Sequence, residues 1–330
     1  MRLRFLILFL LVIVLFFGDL ALGSLDIDVL GVIFGGDSDA TSRTLLLNYR
    51  LPKAIVAVLS GVALSLSGLT MQTIFRNPLA GPYILGVSSG ASLGVAIFLL
   101  GMPLLGVTIA ADIGIALSAF VGAAAVMLVV LALSVRLRDV MTVLILGMMI
   151  SSATVAFVDV LQYFSADSAL KGFVLWAMGS LGGVSYAQIL IITIAVLLGL
   201  SLIIKNIRGL DALLLGENYA HTLGINMRRV RLELFIATSL LAGGITAYCG
   251  PIAFIGIATP HIARMLYRTS AHRPLILSSA LLGAAVMLLC DIVASMPYSD
   301  TTLPINTITS LFGIPVVVMI VVRSKRGKIM

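Results

Sequence analysis

The sequence predicts an all-α protein that crosses a lipid bilayer about ten times. Of its 330 residues, 60% are hydrophobic and only 11% are charged, and the mean hydropathy is +1.18. A soluble domain is nearer to half apolar and a quarter charged, so these residues supply too little charge to cover a soluble surface. Apolar runs of helical length recur along the chain, and helices satisfy their own backbone polar groups in lipid. Residues 1–330 are therefore predicted to form a single transmembrane domain.

Ten apolar runs are long enough to be candidate spans. They cover residues 5–25, 54–75, 83–105, 107–135, 141–164, 189–204, 232–249, 252–266, 275–296 and 303–322. The eighth run is short and contains Gly256 and Pro260. Because proline removes a backbone hydrogen bond from a helix, this run gives the weakest signal of the ten.

The basic residues predict the orientation of these spans. An even number of spans places both termini on one side. If that side is the cytoplasm, seventeen of the 21 Lys and Arg residues lie inside. Only Arg43, Arg50, Lys53 and Lys171 lie outside, near an acidic first outer loop. Because cytoplasmic loops carry excess Lys and Arg, we expect a multi-pass protein of the inner (cytoplasmic) membrane with both termini in the cytoplasm. This bias also explains the net charge of +7 without nucleic-acid binding.

The first apolar run has two interpretations. A basic start, an apolar stretch and small residues at positions 21–24 resemble a secretory signal peptide, whereas Asp19 near the end of the run argues against one. Either way the next segment starts outside, so the remaining topology is unchanged. Cys249 and Cys290 both lie in apolar stretches, which indicates small core residues and not a disulfide framework.

The longest polar stretch between spans, residues 205–231, is predicted to contact a partner at the cytoplasmic face. Gly209, Gly216, Gly224 and Asn226 divide it into two short helices. An amphipathic pair of helices at a membrane face either lies on lipid or docks into another protein. The mixed charge of the stretch favours a protein partner.

Catalytic and nucleotide-binding motifs are missing from the sequence. There is no nucleophile–base constellation, no H-E-x-x-H or C-x-x-C pattern and no phosphate-binding loop. The chain is therefore not expected to be an enzyme, nor to hold a metal or a cofactor. Asp159 and Asp291 are the candidates for an ion-coupling relay, although the sequence favours for each a polar residue that is satisfied between helices. A transporter without a relay takes its energy from another subunit.

A set of motifs runs in one order along nearly the whole chain. Each motif has a local explanation: Asn77-Pro78 ends a helix, Gly86 and Gly90 lie on a small-residue face, and Gly250-Pro251 makes a sharp return. Together they resemble the FecCD/BtuC-type permease family of bacterial ATP-binding cassette (ABC) importers, which move iron–siderophores, haem or cobalamin. The positions that carry the resemblance include Arg76, Asn77, Pro78, Gly86, Ser89, Gly90, Gly250, Pro251, Gly256, Pro260, His261 and Arg264.

The resemblance implies a type II importer with several partners. Two ten-helix subunits would form a homodimer in membrane lipid, with an ABC ATPase dimer below and a periplasmic or lipid-anchored substrate-binding protein above. Residues of about 208–231 match the helices that couple such a permease to its ATPase. The matching positions are Leu215, Gly216, Glu217, Ala220, Leu223 and Gly224.

The family's outer docking site is matched only in part. Arg50 and Lys53 match basic residues that meet the binding protein, with Lys in place of the usual Arg. Lys keeps the charge and loses the bidentate fork. Ser295 and Thr302 stand where the family usually has an Arg and a Glu.

The resemblance also assigns the pathway largely to the fifth and tenth spans. On the fifth, Gly147, Ser151 and Thr154 share one helical face. That face fits a weakly polar path for a large substrate and equally fits ordinary helix packing. The expected function is permeation of an iron–siderophore, haem or cobalamin chelate, driven by a separate ATPase. The alternatives are an ion-coupled secondary transporter that uses Asp159 or Asp291 and a scaffold that transports nothing.

Overall fold

The computed structural model describes residues 2–23, 29–34, 40–104, 111–136, 140–296 and 301–325. These residues form α-helices joined by short turns, with no β-strand among them. The helices are α1 (Arg2–Ala21), α2 (Val29–Phe34), α3 (Ala40–Leu45), α4 (Leu51–Ile74), α5 (Val87–Ala96), α6 (Met102–Leu104), α7 (Ala111–Arg136), α8 (Val140–Phe164), α9 (Asp167–Ala177), α10 (Tyr186–Lys205), α11 (Ile207–Leu215), α12 (Glu217–Thr222), α13 (Met227–Cys249), α14 (Ile255–Tyr267), α15 (His272–Ala294) and α16 (Ile305–Lys325). Two π-helical turns, Leu46–Arg50 and Ile97–Gly101, continue α3 into α4 and α5 into α6.

Eight of these segments are long and apolar enough to cross a membrane. They are Arg2–Ala21, Ala40–Ile74, Val87–Leu104, Gly114–Leu133, Met141–Phe164, Tyr186–Lys205, Met227–Cys249 and His272–Ala294. The other two predicted spans coincide with α14 and α16. The 13 residues of α14 reach only about 20 Å at 1.5 Å per residue, whereas α16 runs for 21 residues, Ile305–Lys325. The predicted all-α membrane fold is confirmed, and the span that coincides with α14 is short.

The second span begins earlier than predicted. Helical structure starts at Ala40 and not near residue 54, and it passes Pro52 without a break. Proline has no N–H to donate, and it is tolerated in the first turn of a helix. The π-turn Leu46–Arg50 lies directly before that turn, so the regular ladder is already interrupted where the proline occurs.

The most extensive contact in the described bundle joins α4 to α15. Gly61 and Gly283 face each other so closely that a Cβ on either would overlap the backbone of the other. Next to them, the Ser65 hydroxyl donates to the carbonyl of Ser279 at 2.6 Å. Small residues bring the two backbones together along a nearly continuous line, so α4 and α15 form one rigid pair.

Helices α5 and α7 also pack closely through glycines. A Cβ on Gly90 would lie 2.6 Å from the Gly122 carbonyl, and one on Gly94 would overlap the Ser118 carbonyl. Gly86 lies just before α5 with φ of 79°, a conformation that favours glycine. The predicted small-residue face therefore lies in a helix–helix contact.

The bundle has two polar ends. At one end, which we call the basic face, α4 and α10 finish, α11 and α12 lie, and α13 and α15 begin. Lys205 and Arg229 both bind Glu233 there, at 2.8 and 2.9 Å. The other end, the opposite face, contains the end of α1, the first turn of α4 and the end of α15. The candidate sites lie at these two faces.

Candidate coupling, docking and transport sites

The segment predicted to couple to an ATPase forms α11 and α12 at the basic face. Gly216 separates the two helices with φ of 121°, and Gly224 follows α12 with φ of 72°. Both values favour glycine, which explains the glycine punctuation of the sequence. Ala220 is fully buried against the bundle. Glu217 begins α12, and its side chain lies outside the described residues. Beyond Asn226 the chain already belongs to α13.

Large apolar side chains are exposed on α11, on α12 and directly after α12. Leu215 is 68% exposed and Leu223 is 56% exposed, with Leu214 and Tyr219 close to half. We call Leu214, Leu215, Tyr219 and Leu223 the coupling surface. Apolar side chains grouped at a polar face are typical of a surface that another molecule covers.

Two contacts hold α11 to the rigid α4–α15 pair. Asp211 of α11 accepts from the backbone N–H of His272 at 2.9 Å and from its ring Nδ1 at 2.6 Å. On the other side of the ring, Nε2 lies 2.9 Å from the Thr73 hydroxyl of α4. We call Asp211, His272 and Thr73 the clamp. Arg76, just beyond α4, donates to the Leu213 carbonyl at 2.9 Å.

The two motifs R-N-P and P-H-I-A-R come together beside this anchor. The His261 ring lies 2.9 Å from the Pro78 carbonyl, and Arg264 donates to the Gln72 side chain at 2.5 Å. Asn77 accepts from the Leu79 N–H and closes the turn after α4. Their shared task is to join α14 to the end of α4 at the basic face.

The remaining glycine motifs fix turns and close contacts. Gly250, with φ of 72°, ends α13 and starts the return through Pro251 that was expected from the sequence. A Cβ on Gly256 would lie 2.7 Å from the Leu64 carbonyl. Ser89 donates to the Gly86 carbonyl at the start of α5. These residues shape turns and helix contacts within the bundle.

At the opposite face, the residues expected to dock a binding protein bind within the subunit. Lys53 lies 2.9 Å from Asp291 Oδ1 and donates to the Ser295 hydroxyl at 2.7 Å. Arg50 donates to the carbonyls of Leu20 and Ala21 at the end of α1. Ser295 therefore supports Lys53 from the position of the family's Arg, while Thr302 is exposed before α16.

A second buried carboxyl completes this cluster. Asp19 of α1 is buried, and its carboxyl lies beside that of Asp291. The cluster joins α1, α4 and α15, and Asp291, one of the two candidate relay residues, is committed to an ion pair there.

A family model described as the FecCD transport family matches residues 6–323. This chain belongs to the FecCD transport family. The resemblance drawn from the motifs to FecCD/BtuC-type ABC importer permeases is thereby confirmed.

Curated relatives of this FecCD chain agree over most of their length. The hemin transport system permease protein HmuU of Yersinia pestis is 35% identical over 314 residues, 94% of this chain and 93% of the relative. The vitamin B12 import system permease protein BtuC of Vibrio cholerae is 35% identical over 282 residues, 86% of this chain and 84% of the relative. The ABC transporter permease protein YvrB of Bacillus subtilis is 37% identical over 298 residues, 88% and 82% of the two chains.

Solved structures share the fold of this FecCD chain. An ABC transporter in an inward-facing conformation, described as of metal-chelate type, is 29% identical with a TM-score of 0.86, covering 98% of this chain and all of the other. PsaBC from Streptococcus pneumoniae, at 16% identity and a TM-score of 0.59, covers 88% of this chain and 94% of that one, and shares the fold alone.

The face of α8 expected to line the FecCD pathway lies inside the subunit. A Cβ on Gly147 would lie 2.8 Å from the Ile84 carbonyl, the Ser151 hydroxyl packs near Gly86, and Thr154 is buried. These contacts fit ordinary helix packing, the second of the two interpretations that the sequence left open for this face. Asp159, in contrast, is exposed on the other side of α8 with Ser152 and Ala156.

Sequence reasoning about this FecCD chain missed the clamp. Neither His272 nor Asp211 was among the residues singled out from the sequence. The available signal was that His272 begins an apolar helix, where a buried polar side chain needs a partner.

Proposed function

We propose that this FecCD-family chain is the membrane-spanning permease subunit of an ABC importer, moving a bulky metal chelate inward by alternating access. A separate ATPase supplies the energy. The observation that supports this most strongly is the coupling surface: exposed apolar side chains at a polar face, on helices tied to the α4–α15 pair. ATP binding would draw the two ATPase subunits together and tilt the permease halves through α11 and α12.

The partners follow from the two polar faces. The basic face would lie in the cytoplasm, since basic loops stay inside, and would meet the ATPase dimer. The mixed charge of residues 205–231 favours that protein partner over a lipid surface. A second copy would pack across a central pathway, and a periplasmic or lipid-anchored binding protein would dock at the opposite face. Because Arg50 and Lys53 are engaged within the subunit, docking there would rely on their exposed parts.

The cargo belongs to one chemical class. HmuU is named as a permease of a hemin transport system, and BtuC is named as a permease of a vitamin B12 import system. Both proteins are 35% identical to this chain. Because the two relatives are equally similar to this chain, the identities do not favour hemin over vitamin B12. Both compounds are large metal chelates. We propose such a chelate, with an iron–siderophore, haem and cobalamin as the cargoes to test.

Replacing Leu223 with serine is expected to weaken ATPase binding about 10- to 100-fold, because burial of a leucine side chain contributes about 1.5–3 kcal/mol. Glu217→Ala and Gly224→Val are expected to act in the same direction, the latter because a φ of 72° disfavours a branched side chain. The measurement is the dissociation constant between the purified permease in nanodiscs and its ATPase. Leu303→Ser, which alters an exposed leucine near the opposite face, is the control. Wild-type affinity in Leu223→Ser would exclude this surface as the docking site.

The pathway is proposed to run along the exposed face of α8. Ser152, Ala156 and Asp159 follow one another at four- and three-residue spacing, and all three are exposed. A carboxylate that faces lipid is costly, so the face that holds Asp159 suits water or a second subunit. Ser151 lies at the edge of that face, and Gly147 and Thr154 support it from behind.

Cysteine labelling distinguishes the two sides of α8. Ser152→Cys and Ala156→Cys are expected to react with a membrane-impermeant maleimide at least ten times faster than Thr154→Cys, because a thiol needs water to ionise and react. The native Cys249 and Cys290 are buried and give a low background. Fast labelling of Thr154→Cys with slow labelling of Ser152→Cys would reverse the assignment.

A further inference from the structure

The clamp at the basic face is a strong and directional contact. His272 is 1% exposed, whereas Asp211 is 42% exposed in its side chain, so the carboxylate reaches from the surface into the bundle. It also meets the N-terminal end of α15, where the helix dipole favours negative charge and where Ala271 provides no side-chain cap. The ring Nδ1 lies 2.6 Å from Asp211 Oδ1, and Nε2 lies 2.9 Å from the Thr73 hydroxyl, which also has the Leu69 carbonyl within 3.0 Å. One imidazole ring thus binds α11, α15 and α4 together.

The helices that the clamp grips extend to the opposite face. Nineteen residues separate His272 from Asp291, about 28 Å of helix. Along that length α4 and α15 are in close backbone contact at Gly61 and Gly283. At the far end Lys53 of α4 binds Asp291 of α15. The pair is therefore fastened at the basic face by the Thr73–His272 contact and at the opposite face by the Lys53–Asp291 ion pair.

We propose that the clamp is the joint through which movement of α11 is passed to the α4–α15 pair. Asp211 and His272 are positioning residues for energy coupling, and this inference rests on the proposed function. When the ATPase displaces the coupling surface, Asp211 pulls on the start of α15 and, through His272 and Thr73, on the end of α4. The rigid pair carries that displacement to the opposite face. Arg76 and Leu213 provide a second, weaker tie to α4.

A purely structural clamp and a coupling joint differ in one measurable ratio. A structural role would change the amount of folded protein and leave the substrate moved per ATP hydrolysed unchanged. A joint predicts a permease that still binds its ATPase through Leu215 and Leu223 while hydrolysis proceeds without transport. The ratio of uptake to hydrolysis is therefore the decisive readout.

The test uses the full complex of permease, ATPase and binding protein in proteoliposomes. The probes are radiolabelled haem, cobalamin and a ferric hydroxamate, and uptake is followed for the one that the wild type moves. Asp211→Ala is expected to lower uptake per ATP about tenfold, as for loss of hydrogen bonds to a charged group, with ATPase affinity within twofold of wild type. Asp211→Asn keeps an oxygen acceptor for the His272 N–H, so its uptake per ATP is expected to lie between the values of the wild type and Asp211→Ala. Arg268→Gln removes an exposed charge at the same face, outside residues 205–231, and is expected to match wild type.

A wild-type ratio in Asp211→Ala would overturn the inference and leave the proposed function standing. So would a parallel loss of ATPase affinity and uptake, since Asp211 would then act in docking. A wild-type complex that shows no ATP-driven uptake of any probe would overturn the proposed function itself.

Discussion

Replacing Lys53 with methionine is expected to destabilise the folded permease by about 3–5 kcal/mol, the cost of leaving one member of a buried ion pair alone. Asp291 is 1% exposed and has Lys53 as its ionic partner at 2.9 Å. Without the lysine, the carboxyls of Asp19 and Asp291 would face each other in the bundle with no cation between α4 and α15. The loss would be measured as the free energy of unfolding in mixed micelles, followed by the fluorescence of Trp176, the single tryptophan.

Two variants make that result specific to the ion pair. Adding Asp291→Asn to Lys53→Met is expected to recover at least half of the lost stability, because the uncompensated charge is removed along with its partner. Lys171→Met, on the exposed side of α9, is expected to change stability by no more than about 0.5 kcal/mol. Equal losses in Lys53→Met and Lys171→Met would mean that the pair contributes nothing.

Gly68→Ala is expected to cost about 3 kcal/mol, at the upper end of what one added methyl group costs in a packed interior. A Cβ on Gly68 of α4 would overlap the carbonyl of Gly256 in α14. That carbonyl belongs to the backbone and cannot turn away as a side chain would, so the two helices must separate. The same unfolding titration measures the loss, and transport is expected to fall with it.

Gly172→Ala is the matched control. Gly172 lies within α9, and a Cβ there would meet no atom within 4 Å. Alanine is the better helix former by up to about 1 kcal/mol, so this variant is expected to be neutral or slightly more stable. If both glycine variants behaved alike, the close approach of α4 to α14 would not be what Gly68 provides.

The membrane fold could be predicted because its signal is local. Eight segments meet the length and hydropathy of a span by themselves, and no knowledge of neighbours is needed to find them. The start of the second span could not be predicted, because a proline such as Pro52 normally marks a helix end. The π-turn before it leaves no clear sequence pattern. Helix α9 was also missed, since its 11 residues are too few and too polar to form a span.

The parts of the candidate sites that depend on glycines at helix boundaries could be predicted from the sequence. The parts that depend on contacts between residues far apart in the sequence could not. Gly216 and Gly224 were identified as helix boundaries from the sequence, and the structure places Gly216 between α11 and α12 and Gly224 after α12, both with positive φ. The clamp joins positions 61 residues apart, and the Lys53–Ser295 contact joins positions 242 apart, so neither leaves a local pattern. The helical period of α8 correctly grouped Gly147, Ser151 and Thr154 on one face. Which face of α8 is exposed depends on where α5 packs against it. The position of α5 is known only from the assembled bundle.

Uptake in reconstituted proteoliposomes tests the proposed function most directly. Vesicles would contain the permease and its ATPase, with the binding protein added on the side of the opposite face and radiolabelled haem, cobalamin or ferric hydroxamate as cargo. We expect uptake of at least one chelate that requires ATP at the basic face and stops when the ATPase is omitted. Uptake driven by a proton gradient in vesicles that hold the permease alone would contradict the account and favour the ion-coupled alternative.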